Sequence, residues 1–560
     1  MKRILLFVTA ALFTVSMQAN NNEVKVHHLD TTSKVKTGWN FGVLPSVAFD
    51  ADLGFQGGAL VNVYYYGDGS QYPDYLHSIY AEAAYTTKRY GIFRLNYDSK
   101  AVIANHRLTL DLTYQPDAMC DFYGYNGYQS VYNKDIHSWN DIPDRMNLDL
   151  YQTRAFYKYK RDLFRFAGDI EGTIWKNIKW NAGLGVLGYM IDECDIQMLN
   201  GKKNQYEVDE NGVPTNPKAM NPNVEGLYEK YVKWGIIDAA EAHGGWHPYL
   251  RAGLTYDSRD QRACPTHGIY TDAFFTYTAA FGEQAQAGYN HLQFNFNFRH
   301  YVKIYRDRVT LAYRVGTQNN IAGNSPFYMN NYLNTLFIQR VMYEGLGGAN
   351  SLRGIMRNRI LANGFAYANV ELRTKVAKFD IGRQHFYVGL APFFDLGVIT
   401  QPYELDETAI KEGYLKDVAE ALLPSHDPNR PVPPLQFGEY FALDKEGQID
   451  QSKVYMPHMA AGLGVKIAMN ENFVFSVDWA MALDKQDNAK WANFYIKMDF
   501  IRNFPFFSII ICMFSGIISS VLNGKKARNL CFGAVGMVTV LYRFRVVVPF
   551  GWHIVLECWH

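Results

Sequence analysis

His291-Leu292-Gln293-Phe294-Asn295-Phe296-Asn297-Phe298-Arg299 alternates polar and apolar side chains without a break. Val302 and Ile304 continue the apolar, even-numbered set, and Tyr289 extends the odd-numbered one. Successive side chains of a β-strand point to opposite faces, so a period of two puts every Phe on one face and every Asn on the other. The pattern recurs along the chain. In 308–315 Val309, Leu311, Tyr313 and Val315 alternate with Arg308, Thr310, Ala312 and Arg314. In 385–398 Phe386, Val388, Leu390, Phe394, Leu396 and Val398 alternate with His385, Gly389, Ala391, Asp395 and Gly397. In 473–481 Phe473, Phe475, Val477, Trp479 and Met481 face away from Ser476, Asp478 and Ala480. A soluble sandwich would alternate too. Here the polar set carries full charges and the segments run to about ten residues, the length of a tilted strand crossing a bilayer. A sheet edge left open in lipid has unsatisfied backbone groups, so such strands must close. The sequence therefore predicts an all-β fold, a transmembrane antiparallel β-barrel over 40–500.

The composition agrees. The chain has 560 residues, a net charge of +1, 40 Tyr and 36 Phe, and 15% aromatic residues. Its mean hydropathy of −0.21 is too low for a bundle of membrane helices. Aromatic girdles and strands half exposed to lipid produce this combination. A near-neutral charge argues against a nucleic-acid partner. Alternation marks seventeen segments, at 41–49, 53–65, 77–88, 91–98, 105–115, 148–160, 162–173, 178–190, 246–257, 268–281, 286–304, 307–316, 363–376, 385–398, 457–468, 472–483 and 490–500. Single-chain barrels of this kind have an even number of strands, so sixteen are expected, with one early segment misread or two merged. Long polar stretches at 116–147, 191–245, 317–362 and 399–456 read as external loops, the last of them exposed.

The ends differ from the middle. Lys2 and Arg3, the apolar run Ile4 to Val15 and Ala19 make 1–19 a secretory signal; an uncleaved anchor helix is the other reading. Residues 20–39 then form a flexible periplasmic lead. In 490–500 Phe494, Ile496, Met498 and Phe500 alternate with Tyr495, Lys497 and Asp499, a terminal strand ending on an aromatic. Residues 501–560 are an atypical apolar tail, read either as non-native sequence or as a C-terminal helix. Cys120, Cys194 and Cys264 are too irregularly spaced for a zinc site or a disulfide framework.

Four motifs, in order, resemble the Omp85 superfamily, also called the bacterial surface antigen D15 group, whose members include the BamA and TamA assembly proteins. Gly347-Gly348-Ala349-Asn350-Ser351-Leu352-Arg353-Gly354 is similar to that family's sixth external loop, with Ile355 where the family has an aromatic. Asp257-Ser258-Arg259-Asp260 with Pro265 and Gly268 resembles its charged turn. Phe393-Phe394-Asp395-Leu396-Gly397 resembles its F-x-D-x-G strand. Gly462-Leu463-Gly464 leading to Asp478 resembles its penultimate hairpin. The resemblance implies that the loop folds back into the barrel and that Arg353 meets Asp395. The alternation places Asp395 on the lumen side, where a lone carboxylate gains from a guanidinium fork. A solvated loop charge is the plainer reading of Arg353, and a solvated turn with local Asx bonding that of Asp257, Arg259 and Asp260. Glu371, Arg373 and Lys375 read as lumen lining.

No nucleophile elbow, no H-E-x-x-H and no P-loop occurs, so an enzyme is not expected, nor any cofactor or metal. The resemblance implies an outer-membrane protein of a Gram-negative bacterium that assists insertion or transport of protein or lipid. Its expected partners are outer-membrane lipids, the barrel assembly machinery, unfolded protein or lipid clients, and a periplasmic protein or lipoprotein. The alternative is a passive channel or structural surface protein. The family's assembly members carry periplasmic POTRA domains. The lead expected here is shorter than the ~50 residues of a folded domain, so none is expected in this chain. A weak seam between first and last strands would favour insertion.

Overall fold

A computed structural model of the chain describes residues 35–500, apart from 73, 138–149, 203, 208, 210–214, 217–218, 261–263, 307, 335–344, 382–383, 423–433, 470–472 and 491–492. The expected signal segment and the tail 501–560 lie outside the described residues. Sixteen antiparallel strands close into one barrel, each beside its neighbour in the chain. They are β1 (Trp39–Asp50), β2 (Gly54–Tyr65), β3 (His77–Thr86), β4 (Gly91–Ser99), β5 (His106–Asp121), β6 (Lys158–Trp175), β7 (Ile178–Asp192) and β8 (Gly244–Asp257). The second half comprises β9 (Gly268–Thr278), β10 (His291–Tyr305), β11 (Val309–Gly323), β12 (Gly364–Ile381), β13 (Gln384–Gln401), β14 (His458–Met469), β15 (Phe473–Ala482) and β16 (Asn493–Phe500). Among the described residues no helix is long and apolar enough to cross a membrane.

The period of two is realised as two surfaces. In β4 and β5 Phe93, Leu95, Leu110 and Leu112 are exposed on the outer wall, while Arg94, Asn96, Asp111 and Thr113 are buried inside. The inward charges are matched across strands. Asp111 accepts from Arg94 (2.7 Å), Arg165 (2.6 Å), Asn96 (3.0 Å) and Thr113 (2.7 Å). Charged donors and acceptors buried together need such bonds, since each would otherwise lose its hydration uncompensated.

Short turns gather at one end and long loops at the other, the arrangement in which the long loops are extracellular. Described residues of the loops 122–157, 193–243, 324–363 and 402–457 join in one aromatic cap, with Phe122, Tyr125, Tyr231, Phe327 and Phe441 buried in a single cluster. Phe122 meets Tyr231 edge-on at 5.2 Å, the packing that ring quadrupoles favour.

Three expectations need correction. The segment 148–160 is not a strand of its own: its last three residues, 158–160, open β6. Described residues 150–157 run as irregular chain and turns before β6, with the adjacent Phe156 and Tyr157 both buried in the cap; a strand could not bury consecutive side chains on one side. Removing it leaves sixteen. The segment 286–304 contains β10 from His291, preceded by a helical turn, Glu283–Gln286. The loop 399–456 is not wholly exposed. Its helix Glu407–Leu422 presents Asp417 to Lys230 and Lys233 (both 2.8 Å), and Leu435, Tyr440, Phe441 and Ile449 pack into the cap.

Candidate functional site: a loop locked into the lumen

The loop 324–363 turns inward, and Arg353 reaches Asp395 on β13. The guanidinium forks the carboxylate, Nε to Oδ2 and Nη2 to Oδ1, both at 3.0 Å, and the Arg353 amide adds a third bond of 3.0 Å. Asp395 is fully buried. Arg353 Nη1 also donates to Glu371 on β12 (3.3 Å) and lies 3.7 Å from Asp478 on β15. Its other face rests on Phe393, 3.4 Å from guanidinium carbon to ring centre, a cation–π contact beneath the fork.

Glycines make this packing possible. Gly347 has φ +112°, and a Cβ there would lie 1.9 Å from the Met356 carbonyl. A side chain is excluded both by space and by the left-handed backbone. Gly348, also at positive φ, donates its N–H to the Ile355 carbonyl at 2.9 Å. Gly354 packs on the backbone of Met481. On the wall, Gly397 leaves room for Leu352, whose Cδ1 would sit 2.6 Å from a Cβ. Gly462 stands opposite Phe393, and a Cβ would lie 2.3 Å from the ring. Leu352 and Ile355 are both fully buried in one cluster. Ile355 therefore fills an apolar site where the family pattern has an aromatic.

The same loop is tied to the last strand. Tyr495 Oη accepts the Gly354 N–H (3.2 Å), and Lys497 Nζ donates to the Ala349 carbonyl (2.6 Å) and to Asn350 Oδ1 (2.9 Å). Ser351 closes the loop internally, accepting the Gly347 N–H at 2.9 Å. Arg359, fully buried, donates to the carbonyls of Gln486 (2.8 Å), Gly127 (2.9 Å) and Ser130 (2.9 Å). Arg357 pairs with Asp117 and Asp121 on β5. Sequence reasoning missed Tyr495, Lys497, Arg357 and Arg359 as site residues. The arginine spacing 353, 357, 359 beside the glycines was a usable signal.

The turn residues do not join this site. Arg259 forks Asp257 (2.8 and 2.9 Å) and stacks over Tyr270, while Asp260 accepts from the Thr266 amide (3.1 Å) and hydroxyl (2.6 Å). Asp260 bonds locally at the exposed rim, and the Arg259 side chain is largely buried. Gly268 opens β9 at φ +104°, and Pro265 lines the lumen near the short-turn rim. At the terminal strand Phe494 is exposed outward, Ile496 pairs with Phe49 and Val477, and β16 pairs with β15 from Asn493 through Met498 to Phe500. Among the described residues no cluster of metal-ligating side chains occurs.

A closed antiparallel barrel with a glycine-rich loop pinned by an arginine to an inward aspartate defines a class of outer-membrane protein. The model of the Omp85 superfamily domain matches residues 59–501, and the chain belongs to that superfamily. Among solved structures it is similar to BamA from Haemophilus ducreyi lacking POTRA domains 1–3, at 13% identity and a TM-score of 0.44, covering 83% of this chain and 70% of that one. It is also similar to CdiB from Escherichia coli (10% identity, TM-score 0.45, 82% and 62%) and CdiB from Acinetobacter baumannii (9%, 0.41, 83% and 60%). The chain thus spans about three fifths of the CdiB chains it matches. No curated protein matches it.

Proposed function

We propose that this protein inserts or translocates protein or lipid at the outer membrane of a Gram-negative bacterium, with the junction of β1 and β16 as the working edge. One observation carries the reading. β1 is paired with β2 along its whole length, from Trp39 opposite Tyr65 to Asp50 opposite Gly54. Against β16 it pairs, among the described residues, at Phe49 with Ile496 and Asp50 with Tyr495. Among the described residues no further ladder pairs β1 with β16. An unsatisfied strand edge is a template for another strand, and in lipid it is costly to leave open. Pro45 limits closure further: carried on, the same register would set it opposite Phe500, and proline brings no N–H. Tyr495 and Lys497 link β16 to the locked loop, so the lock and the edge form one mechanical unit.

The passive-channel alternative has less support, because the aromatic cap fills the long-loop end with Tyr125, Tyr231, Phe327 and Phe441. A disulfide across the seam separates the two readings. Directly opposed antiparallel Cα atoms lie about 4.5–5.5 Å apart, within disulfide reach. Phe49→Cys with Ile496→Cys, oxidised, is expected to stop client insertion into proteoliposomes, and reduction to restore it. Full activity with the seam locked, or steady conductance in planar bilayers without any insertion defect on deletion, would refute the proposal.

A further inference from the structure

Beneath the locked loop the lumen is not filled. A cavity of about 350 Å³ lies against Asn350, Ser351 and Arg353. A second, of about 440 Å³, continues toward the short-turn rim, where Pro265, Thr266 and Arg308 line it. The two share Tyr301, Arg373, Asp478 and Lys497 as walls. Their cations are Arg314, Arg353, Arg373, Lys375, Lys466 and Lys497, with Arg299 and Arg308 at the margins; the carboxylates on the same walls are Glu371 and Asp478.

The charge does not balance. Glu371 is shared by Arg353 (3.3 Å), Arg373 (3.0 Å) and Lys466. Arg353 is already matched by Asp395 behind it. Among the described residues two carboxylates, Glu371 and Asp478, then share these walls with four further cations, Arg373, Lys466, Lys375 and Lys497. Arg373 spends its Nε on Glu371 and has further guanidinium donors. A concave site with low-dielectric walls and one sign of charge concentrates counter-ions of the other sign.

We propose that this chamber binds a phosphate monoester entering from the short-turn end, with Arg373, Lys466 and Lys375 as its principal ligands. A single carboxylate is matched by one guanidinium fork, whereas a phosphate monoester carries close to two charges and three acceptor oxygens, suited to several cations at once. The volume beyond the phosphate accommodates a polar body, such as a glycerol or sugar, between Tyr301 and Tyr387. A lipid headgroup and a soluble organophosphate share this chemistry. The proposal rests on the lumen wall and not on the seam, so its failure would leave the insertion reading untouched.

The test uses the full chain folded in detergent micelles and in phosphatidylcholine vesicles. Titration with glycerol 3-phosphate, followed by calorimetry and ³¹P line broadening, probes the soluble source. Vesicles doped with phosphatidic acid, with native mass spectrometry of retained lipid, probe the lipid source. We expect saturable binding of at least one probe, weakened about tenfold or more in Arg373→Gln/Lys466→Gln, with the heat-dependent gel shift of the folded barrel retained. Lys375→Gln lies outside the loop lock and serves if the double variant does not fold. Weakened binding in either folded variant supports the site, and the probe that binds identifies the source. No saturable binding of either probe, or undiminished binding in the folded variants, would overturn it.

Discussion

Replacing Arg353 with alanine tests the lock directly. Asp395 keeps the backbone N–H of residue 353 but loses both 3.0 Å guanidinium bonds. Glu371 is less affected, because Arg373 and Lys466 still hold it. The damage therefore concentrates on one fully buried carboxylate with no cation bonded to it. Leaving one partner of a buried pair uncompensated costs about 3–5 kcal/mol. An arginine that merely sat in solvent would cost no more than about 0.5 kcal/mol. The two readings of Arg353 are thus far apart on a measurable scale. Arg353→Lys keeps the charge but not the fork, and is expected to fall between them. Arg353→Ala/Asp395→Ala removes both charges and should cost less than the sum of the single changes, because no orphan remains. The assay is denaturant unfolding of the barrel in micelles, read by the gel shift between folded and heated forms, with limited proteolysis of 345–363 in parallel. Stability within about 0.5 kcal/mol of wild type, with an unchanged cleavage rate, would refute the lock; strict additivity of the double variant would refute the pairing.

Gly462→Ala should displace Phe393 from beneath Arg353 and cost about 1–3 kcal/mol, visible as faster proteolysis of the loop although residue 462 lies on a different element. Arg359→Ala strips the carbonyls of Gly127, Ser130 and Gln486 of a buried charged donor at once; a loss of about 3 kcal/mol or more is expected, with new cleavage in 122–157. Burial within the cap raises the Glu241 carboxyl from 4.5 to about 7. A raised folded value gives stability that is complete below the ordinary carboxyl range and is lost progressively as pH rises from about 4.5 to about 7. The cap should therefore resist protease better at pH 5 than at pH 8, and Glu241→Gln should flatten that difference; an unchanged slope in the variant would show that another group sets it.

The alternation in 291–299 carried most of the fold. A period of two with charges on one side and aromatics on the other leaves few solutions in a membrane, because lipid forbids open edges and unpaired backbone. Asp395 was legible as an inward residue for the same reason, and the glycines around Arg353 announced a tight loop. The loops were less legible. Phe156 and Tyr157 mimic a strand in one dimension, yet they pack as neighbours in the cap, a surface that exists only once four loops meet.

By itself the sequence determined which side chains face lipid and which face the lumen, because that parity is a local property of the extended chain. The tertiary structure decided who meets whom across the lumen. Tyr495 and Lys497 meet the loop from more than a hundred residues away, and Phe393 and Gly462 become neighbours through the register of β13 and β14. The extent of the seam also belongs to the closed barrel. It depends on how the last strand meets the first, and no local pattern in either strand encodes that distance.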